Sequence, residues 1–191
     1  MSPSGTRPDR WGPVSQAFHW GSALLLVAIA AIGLTMEDLP NSPDKIRMYA
    51  LHKSLGLTLL AVVALRLAWR WTRPTPADVP GLAPVVRRAA GAVHWVLYGL
   101  MLAMPLTGWV LNSAEGFPLQ WFRLFNLPAI APEGEALARL AGSLHENGFW
   151  VLVALTAGHV FAALCHHLFI GDGTLHRMLP GRRRPPPELP R

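Results

Sequence analysis

Apolar residues gather in four long stretches, about Phe18 to Met36, Ala50 to Trp71, Ala92 to Asn112 and Gly148 to Ile170. Each is close to the length of about 20 residues that a helix needs to cross a hydrocarbon core about 30 Å thick. Turn-rich segments separate them: Glu37–Asp44, Arg73–Pro84 and Asn126–Glu135. Residues Gly134 to Leu144 keep helical spacing, so the fourth helix is expected to begin before its membrane entry. Pro105 lies inside the third stretch and is expected to kink it, because proline removes an amide donor and clashes with the preceding turn. The pattern predicts an all-α membrane protein, a four-helix transmembrane bundle. Residues 1–17 lead in, residues 18–170 form the bundle, and residues 171–191 form a basic tail.

Composition agrees. The chain has 191 residues, of which 51% are hydrophobic and 15% charged, where a soluble domain carries about 25% charged residues. Its net charge of +6 could suggest nucleic acid. The distribution excludes that reading: twelve of the seventeen basic residues fall on one side of the predicted spans, and seven of the eleven acidic residues on the other. The basic excess is a topology signal that predicts both termini inside, on the cytoplasmic side. The tail segment Arg182–Arg184 with Pro185–Pro187 reads as a disordered anchor at anionic headgroups. A cleaved signal peptide is the alternative for the first stretch, given Arg7, Arg10 and Ala28-Ile29-Ala30, but the stretch is too long and cleavage would discard His19. Tryptophans sit near the span ends, as in an aromatic belt. Trp121 and Phe122, with Phe125, are expected to form a short surface helix or to cover the outer site.

Ionisable residues inside spans are costly and usually have a task. His19 opens the first span at the inner side, and His52 opens the second at the outer side. His145 precedes the fourth span at the outer side, and His159 lies deep in it towards the inner side. The step of 14 residues from His145 to His159 is close to four helical turns, so both rings leave one face about 21 Å apart. His52 matches His145 in depth, and His19 matches His159. Two bis-histidine sites result, and these suit haem iron, whose axial ligands come from facing helices while the macrocycle fills an apolar interior. Gly56, one turn after His52, with Gly21, Gly148 and Gly158 near the other three, would give the macrocycle room beside the backbone. Zinc is the weaker alternative, because two ligands leave its tetrahedral shell incomplete. The single cysteine, Cys165, permits no Cys-x-x-Cys-His attachment, so the haems are expected to be two non-covalent haem b groups.

Other candidates have plainer readings. His94 reads as interfacial packing or a propionate or quinone contact, His166 and His167 as headgroup residues, and Cys165 as packing. Arg66 and Arg70 share a helix face near the inner end. One of them is expected to neutralise a propionate of the inner haem, with snorkelling to the interface as the alternative. Lys45, Arg47 and Lys53 form an outer basic group beside His52 that could attract a small anion. Charge balance against the outer acidic residues, or pairing with propionates, explains the group equally well.

These residues resemble a known family. Phe18-His19-Trp20, His52-Lys53-Ser54-Leu55-Gly56 with Val63-Ala64-Leu65-Arg66-Leu67, and Ala103-Met104-Pro105-Leu106-Thr107-Gly108 occur in order. His145-Glu146 follows, then Cys165-His166-His167-Leu168-Phe169 and Thr174-Leu175-His176-Arg177-Met178-Leu179-Pro180. Together they look like the bacterial cytochrome b561 family, related to the cytochrome b subunits of nickel–iron hydrogenases. The resemblance implies a four-helix bundle with two b haems, axial ligands at His19, His52, His145 and His159, and electron exchange with ubiquinone. It also implies that superoxide is a donor for some members. The leading expectation is therefore a dihaem cytochrome linking a donor to the membrane quinone pool. The alternative is a membrane-anchoring subunit for a dehydrogenase or hydrogenase, with a redox protein partner. A transporter or sensor lacks support, because the spans carry no acidic residues for an ion path.

Overall fold

The computed structural model describes residues 8–77, 79 and 81–181. Four long helices dominate it: α1 (Pro13–Met36), α2 (Pro43–Thr72), α3 (Pro84–Ala114) and α4 (Glu135–Cys165). All four are long and apolar enough to cross a membrane. Prolines open α1, α2 and α3, where a missing amide costs nothing and the fixed φ suits the first turn. The Ser42 hydroxyl caps α2 by accepting from the Lys45 amide at 3.3 Å. As the sequence suggests, α4 starts well before its apolar stretch, at Glu135. Pro105 sits within α3, which nevertheless continues from Pro84 to Ala114. A π-helical turn, His166–Ile170, closes α4, and Gly171 ends it in the left-handed region at φ 68°.

The helices pack as a chain of neighbours, α1 on α2, α2 on α3 and α3 on α4. Leu59 and Val63 of α2, Tyr98, Met101 and Met104 of α3, and Leu152 of α4 form the core. Between α4 and either α1 or α2, no two Cα atoms come within 8 Å. Apolar side chains such as Leu24, Val27, Leu65, Val96 and Phe161 point outward, as in a bundle solvated by lipid. Buried hydroxyls bond their own helices, Ser22 to the Phe18 carbonyl at 2.6 Å and Ser54 to that of Ala50 at 2.8 Å.

The α3–α4 connection departs from expectation. In place of a short helix it holds an antiparallel hairpin, β1 (Leu119–Trp121) and β2 (Phe125–Leu127). The free edge finds partners on α2: Ser54 Oγ accepts from the Phe122 amide at 3.0 Å, and the Trp121 indole donates to Thr58 Oγ1 at 3.0 Å.

At the opposite end the two chain ends meet. The Trp11 amide donates to the Arg177 carbonyl at 3.2 Å, Arg10 to the Leu179 carbonyl at 2.5 Å, and the Trp20 indole to the Met178 carbonyl at 2.9 Å. The Arg177 guanidinium reaches the Ala77 carbonyl at 2.5 Å. Residues 177–181 are thus bonded to the start of α1 and the residues just before it. The expected basic anchor Arg182–Arg184, with Arg7 and Arg191, lies outside the described residues.

Candidate haem-binding histidine pairs

Two histidine pairs bridge the separation between α4 and the α1–α2 layer. At the hairpin end, His52 of α2 faces His145 of α4 with ring centres 6.2 Å apart. At the terminus end, His19 of α1 faces His159 of α4 at 6.3 Å. An iron held between two imidazole nitrogens at about 2 Å each, with a ring radius added at either end, separates ring centres by roughly 6 Å. Both pairs therefore fit an axially ligated iron, in the depth-matched combinations the sequence predicts. The donor set also suits a haem: imidazoles from facing helices whose backbones stand apart.

The hairpin-side pair is oriented from behind. His52 Nδ1 lies 3.2 Å from the Ile29 carbonyl of α1. His145 Nδ1 lies 3.0 Å from the Met104 carbonyl and 3.1 Å from the Thr107 hydroxyl, both on α3. A ring that donates Nδ1–H to a carbonyl keeps the Nε2 lone pair free, which is the tautomer a metal ligand needs. Two glycines make these approaches possible. A Cβ on Gly33 would stand 3.1 Å from His52 Cε1, and one on Gly108 would stand 3.2 Å from His145 Cε1.

The terminus-side pair has different company. The Arg66 guanidinium lies 3.1 Å from His19 Nδ1 and 5.0 Å from the centre of the Tyr98 ring. Arg70 lies over Trp11, Trp95 and Tyr98 at 5.3, 5.6 and 6.0 Å. Both Arg66 contacts are to residues of neighbouring helices, His19 of α1 and Tyr98 of α3. His94, for which the sequence left interfacial packing or a propionate or quinone contact open, packs edge-on against His159 with ring centres 5.2 Å apart.

Among the glycines singled out from the sequence, Gly21, Gly56 and Gly158 would bring a Cβ within 4 Å of no protein atom. They are not needed for helix packing and leave the backbone open beside the pairs. Gly148 differs: a Cβ there would meet Met104 Sδ at 2.8 Å, so it serves the α3–α4 contact. Gly33 and Gly108 were not legible as site residues, because only the crossing of helices shows that they face imidazoles.

The basic group beside His52 is largely engaged. Arg47 pairs with Asp44 at 2.8 Å. Lys45 Nζ donates to the Glu37 and Leu39 carbonyls at the end of α1, at 2.8 and 3.0 Å. Lys53 bonds Asn112 Oδ1 at 2.5 Å and lies 5.6 Å from the centre of the Phe117 ring. These contacts favour charge balance and helix termination for Lys45 and Arg47, and leave Lys53 as the inward-facing cation. Elsewhere, Asp172 bonds His166 Nδ1 at 2.5 Å, and the rings of His167 and His176 lie 4.9 Å apart.

The chain is similar in sequence to known proteins. Residues 10–181 match the family model described as prokaryotic cytochrome b561. The chain is 37% identical over 179 residues to cytochrome b561 homolog 2 of Escherichia coli (strain K12), covering 90% of this chain and 92% of that one. It is 32% identical to cytochrome b561 homolog 1 of the same organism, over 92% of this chain and 99% of that one. It is 30% identical to a probable superoxide oxidase, CybB, of Yersinia pestis, over 86% of this chain and 93% of that one. The chain belongs to the prokaryotic cytochrome b561 family, multi-pass membrane electron-transfer proteins whose membership implies b-type haem.

Proposed function

We propose that this protein is a dihaem b-type cytochrome that passes electrons between a donor and the membrane quinone pool, with ubiquinone as acceptor and superoxide as one donor. The observation that carries the dihaem reading is the pair of ring separations, 6.2 and 6.3 Å, across helices that stand apart everywhere else. When bound, two haems supply one-electron chemistry at both membrane faces. His52 and His145 are the ligands at the hairpin end, His19 and His159 those at the terminus end. Arg66 offers its charge to a propionate at the terminus-side group, and Gly56 leaves room for the macrocycle at the other. The superoxide arm is supported by the similarity to the probable superoxide oxidase of Yersinia pestis and by Lys53 beside His52. The excess of basic residues at the terminus end supports placing both termini in the cytoplasm, with the hairpin outside.

The test is stoichiometry. Acid–organic extraction should release all haem, and a pyridine haemochrome assay should give two per chain. A value of one, or haem that stays with the protein, overturns the reading.

A further inference from the structure

The hairpin between α3 and α4 carries features that electron transfer does not explain. Its turn, Trp121 to Leu124, is closed by the Leu124 amide donating to the Trp121 carbonyl at 2.9 Å. Both central residues have positive φ, Phe122 at 46° and Arg123 at 62°. Asn-Gly is the usual choice for such a turn. A bulky aromatic and an arginine are strained there, and strain of this kind points to a use for the side chains. Those side chains are presented outward: Phe122 is 42% exposed and Leu124 71%.

Depth places the tip beside lipid. The hairpin is held by Ser54 and Thr58 of α2, four and eight residues inside the apolar stretch that begins near Ala50. At 1.5 Å per residue these anchors lie about 6 and 12 Å below its start. The hairpin is also two-sided. Gln120 and Asn126 pair across the strands and share one face, opposite Leu119, Trp121 and Leu127. Leu119 is buried and Trp121 is bonded to α2, so the polar pair faces away from the bundle.

We infer that the hairpin is an interfacial membrane anchor: Phe122 and Leu124 enter the acyl boundary of the leaflet at the hairpin end, and Arg123 reaches the phospholipid phosphates. The polar Gln120–Asn126 face lies towards water. An amphipathic element with aromatic and leucine side chains on one side and polar groups on the other partitions to this level of a bilayer, and the arginine stem can cross the boundary while its head stays at the phosphates. The anchor would pin the segment bonded to Ser54, two residues from His52.

The experiment uses the haem-loaded full chain in phospholipid nanodiscs. Phe122→Cys, Leu124→Cys and Gln120→Cys are made separately in a Cys165→Ser background, checked for an intact visible spectrum, and labelled with a nitroxide. Collision with oxygen, which concentrates in lipid, is compared with collision with a water-soluble nickel chelate. The tip labels should favour oxygen several-fold and the Gln120→Cys label the nickel chelate. If Phe122→Cys disturbs the fold, Leu124→Cys alone decides. Tip labels that favour nickel, or that neither reagent reaches because protein covers them, overturn the anchor.

Discussion

The two histidine pairs share one helix and almost the same ring separation, yet they are built on different physics. At the hairpin end, both imidazoles are oriented by carbonyls of neighbouring helices, Ile29 behind His52 and Met104 behind His145. At the terminus end, His19 and His159 make no such carbonyl bond among the described residues, and their neighbours are a guanidinium and a third imidazole. The first pair is fixed in orientation by these carbonyls. The second is fixed in charge: Arg66 and Arg70 have no carboxylate within 4 Å among the described residues. A positive field favours the reduced, less positive iron. The difference therefore predicts a higher potential at the terminus end and electron flow towards it.

The strongest way to break the comparison is to remove ligands. His52→Ala or His145→Ala should abolish one spectral component, about half of the bound haem, and spare the other. His19→Ala or His159→Ala should abolish the complementary component. Depletion of the same haem by His52→Ala and His159→Ala, with His145→Ala silent, would show that the pairs are drawn wrongly.

Substitution behind the ligands should act on one site only. Gly108→Val forces His145 away from its carbonyl, and Thr107→Val removes one of two acceptors at its Nδ1. Partners of this kind are worth about 10–100-fold in metal-site affinity. Haem titration into apoprotein should show that loss at the hairpin-side component, with Gly108→Val the larger. Equal weakening of both components would mean that the orienting bonds matter to the whole bundle and not to one site.

This division also marks what the sequence could show. Spans, helix extension before His145 and the depth-matched pairing all follow from helical period, because α4 runs in register from His145 to His159. The orienting groups do not, since a backbone carbonyl such as that of Ile29 leaves no residue-type signal. Nor does the packing of His94 against His159, because sequence depth cannot tell which face of α3 meets α4. The hairpin escaped notice for a related reason: its edge is satisfied by Ser54 and Thr58, more than 60 residues away.

Charge at the terminus end should be visible as potential. Arg66→Gln removes a partly buried cation beside His19 and should lower the terminus-side midpoint by several tens of millivolts, where 59 mV is tenfold for one electron. The hairpin-side midpoint should hardly move. A redox titration that finds no shift in Arg66→Gln or Arg70→Gln would remove electrostatics as the source of the difference.

Donor steering at the hairpin end should be weaker, and it should separate the three basic residues. Lys53 faces inward next to His52, whereas Arg47 is paired with Asp44 and exposed, and an exposed pair contributes little. In stopped-flow reduction by superoxide with ubiquinone as acceptor, Lys53→Glu should slow haem reduction more than Arg47→Glu. Salt should slow the wild type modestly, since screening acts over ~8 Å at physiological ionic strength. Equal effects of the two substitutions would restore a diffuse basic patch. Reduction at the background rate in the wild type would remove superoxide and favour a protein donor.

The smallest effect concerns the segment that closes the terminus end. Burial alone would raise the Asp172 carboxyl, but hydrogen bonds from Thr174 and the His166 ring outweigh it and hold it below the usual carboxylate range. A carboxyl depressed on folding contributes stability that is present above its unfolded value, about 3.9, and lost as pH falls through the lower folded value. The 171–181 segment should thus stay docked at neutral and mildly acidic pH and loosen only in strong acid. Asp172→Asn should remove this pH dependence and leave a weaker, pH-independent attachment. Limited proteolysis near Gly173 at a series of pH values, with an acid-tolerant protease, reads the difference directly. Cleavage that begins near neutral pH in the wild type, or that follows the same pH curve in Asp172→Asn, would mean that the Arg10 and Trp20 contacts, and not the carboxylate, hold the segment in place.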